Sequence, residues 1–191
     1  CLSAAMLSGC AASNLPLKSP DFRNQDYKQF PALALATSVT NEYNYEAVVE
    51  GRIPSELRGT LYRNGPGLFE RAGFRKRCLL DGDGMIQAFR IADGKIYFQN
   101  KFVRTEKYVE ESRAGRFLYS TWTTQAPGGV LGNLLGGRMA SQAAVTVVVR
   151  NGRLYAFDDA SPAYELDAAT LSTKGKTSLG MPQNSPIFYS H

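Results

Sequence analysis

The dipeptides Asp93-Gly94 and Asn151-Gly152 each sit between two runs of alternating apolar and polar residues. A two-residue hairpin of type I′ needs positive φ at both central positions, which Asp-Gly and Asn-Gly supply at little steric cost. "MIQAFRI" before the first dipeptide and "KIYFQNKFVR" (Lys95 to Arg104) after it therefore read as paired antiparallel strands. "AVTVVVRNGRLYAFDD" repeats the arrangement around the second. "YNYEAVVEG" adds an earlier strand that stops at Gly51, and "GTLYRNG" a short one expected to close at Asn64-Gly65 and Pro66-Gly67. "PAYELDAATLSTKG" reads as a strand followed by a turn in which Asp167 caps one helical turn. No long amphipathic helix interrupts these hairpins, so the chain is expected to be all-β, as a sandwich, a barrel or a propeller. Blades of about 40–45 residues would place about three of them between Tyr43 and His191. No repeated blade signature selects the propeller from periodicity alone.

The 191 residues are 43% hydrophobic and 20% charged, with a net charge of +5. That mild excess carries no nucleic-acid module, and the basic run "RAGFRKR" (Arg71 to Arg77) is expected to be a solvated loop. Cys1, Cys10 and Cys78 form neither a CxxC pair nor a disulfide framework, and Cys78 reads as a small buried hydrophobe. His191 is the single histidine, which leaves a nucleophilic triad without an internal base.

Three segments follow from composition. Residues 1–13 ("CLSAAMLSGCAAS") read as the remnant of a secretory signal or as a small-residue tail. Within them "LSGC" is similar to a bacterial lipobox, with Cys10 the residue to be lipidated. Export to the periplasm, with a membrane tether through Cys10, is the corresponding expectation. Residues 14–42, with Pro16, Pro20 and Pro31, read as a linker or an N-terminal arm, and residues 43–191 as the β domain. Within that domain, the glycines of Gln125 to Gln142 match no phosphate-binding loop. Val130, Leu131, Leu134, Leu135 and Met139 could instead form one face of a short helix, packed on its own core or meeting a membrane or an apolar substrate.

"LDGDGM" (Leu80 to Met85) invites a calcium reading, but an EF-hand would need an oxygen ligand where Met85 stands and a glycine where Ile86 stands. A tight turn, with its aspartates accepting from backbone amides, is the better expectation. Taken with "VEGRIPSELRGTLYRNGPG", "FVRT" and "LYAFDDASPAYELDAATLST", this stretch resembles the carotenoid cleavage oxygenases. The likeness spans about residues 43 to 191. It implies the first part, about three blades, of a seven-bladed β-propeller with Fe(II) on its axis held by four histidines. It also implies oxidative cleavage of a C=C bond by O2 into two carbonyl products.

The resemblance places two site residues. "FYSH" is similar to the stretch before the family's first iron histidine, so His191 matches that metal ligand. Asp159, 32 residues earlier, matches the first glutamate that supports an iron-bound histidine. In the family the first histidine has no such glutamate, so the partner of Asp159 would be a histidine later than His191. Aspartate is one methylene shorter than glutamate, so it reaches less far as an acceptor for the ring N–H. Lignostilbene cleavers carry a phenol-binding lysine where Asp158 stands, which tilts the expected substrate toward an apocarotenoid-like polyene. The alternatives are lignostilbene-type cleavage and a non-catalytic propeller that binds an apolar ligand. With one of four ligands, these 191 residues alone are expected to be inactive.

Overall fold

The computed structural model describes residues 37–76, 78–124, 140–159 and 161–180. Among them lie ten strands, arranged as two four-stranded antiparallel sheets and one two-stranded ribbon. The first sheet has the order β1 (Asn44–Ala47), β6 (Lys95–Phe102), β5 (Asp83–Ala92), β2 (Gly59–Leu68). The second is a meander of β7 (Thr146–Arg150), β8 (Arg153–Phe157), β9 (Ala163–Leu166) and β10 (Thr173–Thr177). The all-β expectation holds, with the two sheets stacked as successive blades of a partial propeller.

Both hairpin dipeptides do what their chemistry dictates. Asp93 and Gly94 have φ of 51° and 74°, and Asn151 and Gly152 have 51° and 72°. Asn64-Gly65 and Pro66-Gly67, by contrast, do not close β2. The strand runs through all four residues, paired with β5 from Gly59 to Leu68 with a register shift after Pro66. Edge position explains the difference, because a strand with one neighbour tolerates a proline and a bulge. The Asn64 side chain, freed from turn duty, donates to the carbonyls of Ala143 (2.8 Å), just ahead of the second sheet, and Thr146 (2.9 Å), at the start of β7.

A helix that the strand pattern passed over, α1 (Glu106–Ala114), follows β6. Its signals are present in the sequence. The Thr105 hydroxyl accepts the Tyr108 amide at 3.0 Å, and Gly115 ends the helix in the left-handed region at φ 63°. The basic run is not a solvated loop either. Glu70–Arg71 (β3) and Phe74–Arg75 (β4) form a ribbon turned at Ala72-Gly73, and Lys76 is 1% exposed. Cys78 is only half-buried, and its sulfur accepts the Leu80 amide ahead of a 3-10 turn at Leu79–Asp81.

The core lies between the two sheets. Ile86 and Ala88 of β5 meet Leu154 and Ala156 of β8, Tyr164 and Leu166 of β9, and Leu171, all buried. Burying such side chains stabilises by roughly 1.5–3 kcal/mol each for the larger ones. Polar stitching closes the rim. Asp167 accepts the amides of Ala169 and Thr170 and caps the turn expected there. The carbonyls that this turn exposes then receive Tyr62 Oη (2.9 Å), Gln99 Nε2 (3.2 Å) and Lys101 Nζ (3.1 Å) from the first sheet.

Gly84 shows how closely the sheets approach. Its amide donates to the Gln142 carbonyl at 2.9 Å, and a Cβ there would lie 2.2 Å from the Ala143 carbonyl oxygen. Backbone cannot rotate out of the way as a side chain would. Gly84→Ala is therefore expected to cost about 1–3 kcal/mol, whereas Gly65→Ala, with nothing within 4 Å, should stay within about 1 kcal/mol. Urea midpoints of the two variants check this.

Candidate functional site

The site is built where β8 leaves the sheet. Four consecutive residues of this central strand, Leu154 to Phe157, are buried, so the chain emerges at Asp158-Asp159 with little freedom. Asp158 is 4% exposed and fully engaged. Its Oδ2 accepts from Ser141 Oγ (3.0 Å) and from the amides of Gln142 (2.9 Å) and Ala143 (3.3 Å). Its Oδ1 accepts from Ser161 Oγ at 2.7 Å. A carboxylate suits this task because it offers two oxygens and charge-assisted bonds to donors outside the β ladder.

Asp159 differs. Its residue is half-buried, its Oδ1 is buried, and no donor among the described residues reaches that oxygen. Leaving a buried acceptor unmade costs about 1–3 kcal/mol, more when charged. Such an atom is the acceptor half of an incomplete pair. A metal-bound imidazole has one ring N–H left to donate, and a carboxylate oxygen is the usual recipient. The geometry of Asp159 therefore fits the supporting role that the resemblance implies for it. His191 and the apolar face at Val130, Leu131, Leu134, Leu135 and Met139 lie outside the described residues, as do Cys1 and Cys10. No cluster of three or more metal-ligating side chains occurs among the described residues. Of the two residues the resemblance singles out, the described residues thus include Asp159 and not His191.

Two buried polar assemblies hold this end of the first sheet, and both pass through the "DGDGM" stretch. Asp81 accepts the Thr123 amide (3.1 Å) and the Thr124 hydroxyl (2.6 Å). Burial alone would raise its carboxyl pKa, but these donors outweigh it and hold it below the usual range. Asp83 does not bond backbone amides as expected. It accepts Lys107 Nζ at 2.5 Å and lies 3.4 Å from Arg71. Lys107 also meets Glu111 at 2.7 Å, and Glu111 Oε1 takes the amides of Leu118 and Tyr119. Nothing in the sequence spacing joins Asp83 to Lys107, so only the fold brings them together. Nearby, burial followed by the charge of Lys107 lowers the Lys76 pKa to about 7. On β9, burial pushes the Tyr164 phenol up to about 12, so it stays neutral beside Glu106.

The family model described as retinal pigment epithelial membrane protein matches residues 36–191. Apocarotenoid-15,15'-oxygenase of Synechocystis is 38% identical over 168 residues, which is 86% of this chain and 34% of that protein. Lignostilbene-alpha,beta-dioxygenase isozyme III of Sphingomonas paucimobilis is 32% identical over 143 residues, 75% of this chain and 29% of that protein. Among solved structures, a glutamate-to-aspartate variant of the Synechocystis apocarotenoid oxygenase superimposes with a TM-score of 0.76 at 38% identity, over 81% of this chain and 33% of that one. A cobalt-substituted form of the same enzyme gives 0.76 at 36% identity, over 82% and 33%, so that enzyme holds a metal. The chain spans about a third of the length of these relatives.

Proposed function

This chain belongs to the retinal pigment epithelial membrane protein family, and from that membership we propose that it forms the N-terminal part of a non-haem Fe(II) dioxygenase. The substrate is a carotenoid- or apocarotenoid-like polyene, cleaved with O2 at one C=C bond into two carbonyl products. The observation that carries this reading is the buried Oδ1 of Asp159 just after β8, which meets no donor among the described residues, in a chain 38% identical to an apocarotenoid oxygenase.

Bound iron supplies the redox chemistry through which O2 reacts with an alkene. Neutral imidazoles suit that metal, and His191 is the ligand this chain provides. Asp159 accepts the remaining ring N–H of another ligand histidine, which sets its tautomer and its ring plane. Asp158 supports the polyene over the stilbene. Its carboxylate is consumed by residues 141–143 and Ser161, so the place of a phenol-binding lysine offers no cation.

The test uses the full-length protein with an apocarotenal under air, with products separated by mass. Two shorter carbonyl compounds, lost when iron is chelated, are the expected result. Cleavage of stilbenes but not of apocarotenals would replace the substrate, and tight binding of either without products would make this a binding protein. Residues 1–13 support export, with a lipid on Cys10 adding a weak tether. Fractionation of cells should then find the protein processed and outside the cytoplasm; an unprocessed cytoplasmic protein overturns that part.

A further inference from the structure

We propose that Asp158 is a positioning residue, whose carboxylate fixes the backbone on both sides of Asp159 so that an aspartate can serve as the acceptor for a metal-bound histidine. The inference rests on the assignment of Asp159 made above.

A glutamate reaches its partner through two methylenes and can adjust both torsions. An aspartate has one methylene, so the place of its carboxylate is set almost wholly by its own Cα. The chain around Asp159 is held accordingly. One residue before it, Asp158 binds Ser141 and the amides of Gln142 and Ala143; two residues after it, Ser161 binds the same carboxylate at 2.7 Å. The segment so gripped is itself held against the first sheet. The Ala143 carbonyl accepts Asn64 Nδ2 at 2.8 Å and faces Gly84, where no Cβ would fit. Asp158 therefore ties the Asp159 backbone to the first sheet through a short chain of hydrogen bonds. At the end of that chain stands Oδ1 of Asp159, buried and without a donor among the described residues. Supporting groups must hold a site within a fraction of an ångström, and their loss usually costs 10–100-fold in metal affinity or activity.

The experiment is a double-mutant cycle in the full-length, metal-loaded protein, read by the rate of metal loss to a chelator and by the visible spectrum of the cobalt-substituted form. Asp158→Asn keeps one acceptor oxygen and guards against failure to fold, while Asp158→Ala removes both. Expected is about a tenfold faster metal loss for Asp158→Asn with a shifted cobalt spectrum, and no further change when Asp159→Ala is already present. Ser161→Ala should act in the same direction and more weakly. A purely structural role would lower the unfolding midpoint equally in both backgrounds and leave the cobalt spectrum unmoved, which overturns the proposal. If Asp159→Ala alone leaves metal loss and spectrum unchanged, the assignment of Asp159 fails, and the role of Asp158 fails with it. A normal Asp159→Ala effect beside a silent Asp158→Asn refutes Asp158 alone.

Discussion

Lys107→Met is expected to destabilise the full-length protein by about 3–5 kcal/mol, the cost of leaving buried carboxylates without their cation. Lys107, Asp83 and Glu111 are all essentially inaccessible, and Lys107 contacts both acids within 2.7 Å. Arg71 remains 3.4 Å from Asp83 and 4.0 Å from Glu111, too far to replace a fully buried ammonium. Neutralising both acids as well, in Lys107→Met/Asp83→Asn/Glu111→Gln, should restore most of the loss. A urea midpoint for Lys107→Met equal to that of the parent would show that the cluster is hydrated and weak.

The same cluster predicts a pH dependence. Lys76 has a pKa near 7 in the fold against an ordinary 10.5, so across that interval the unfolded state binds more protons. Stability from this group therefore rises with pH from about 7 toward 10. Lys107 is opposite in sign: burial opposes its charge, but Asp83 and Glu111 outweigh burial and raise its pKa. Its contribution is complete below 10.5 and is lost as the pH rises from there through that raised value. Lys76→Met should flatten the rise between neutral and alkaline pH, and an unchanged slope would count against a neutral Lys76.

His191→Ala in the full-length protein is expected to abolish retention of iron, because removing one ligand from the centre leaves an incomplete set. Asp159→Ala should be milder, weakening retention by about 10–100-fold, since it removes a support and not a ligand. Asp159→Glu should match or exceed the parent, because the longer side chain meets the same ring N–H with more freedom. Metal analysis after gel filtration, with chelator competition for the rates, distinguishes the three. Full iron occupancy in His191→Ala would remove that residue from the centre. An Asp159→Ala protein indistinguishable from the parent would make Asp159 a turn residue.

Much of this was legible because it is local. Asp93-Gly94 and Asn151-Gly152 announce hairpins, since the turn depends on the φ preferences of two adjacent residues. Asp167 caps its turn for the same reason, with partners two and three residues away. Helix α1 was equally local, with Thr105 and Gly115 as its caps, but its charged sequence hides the apolar stripe that a periodicity search seeks. Asn64-Gly65 misled for the opposite reason. A turn dipeptide was outweighed by pairing with β5 and by two bonds from Asn64 to the neighbouring sheet.

By itself the sequence determined the all-β class, the two hairpins and the family, since these depend on neighbouring residues or on ordered motifs. Only the tertiary structure decided what the aspartates do. Asp81, Asp83, Asp158 and Asp159 are the same side chain, yet one collects threonine donors, one a lysine, one the 141–143 segment, and one has a buried oxygen with no donor among the described residues. An aspartate's role is set by which donors the fold delivers within about 3 Å of its oxygens. Apart from Ser161 on Asp158 and Arg71 on Asp83, those donors come from positions 15 to 43 residues away in the chain, a distance at which no local pattern constrains their approach.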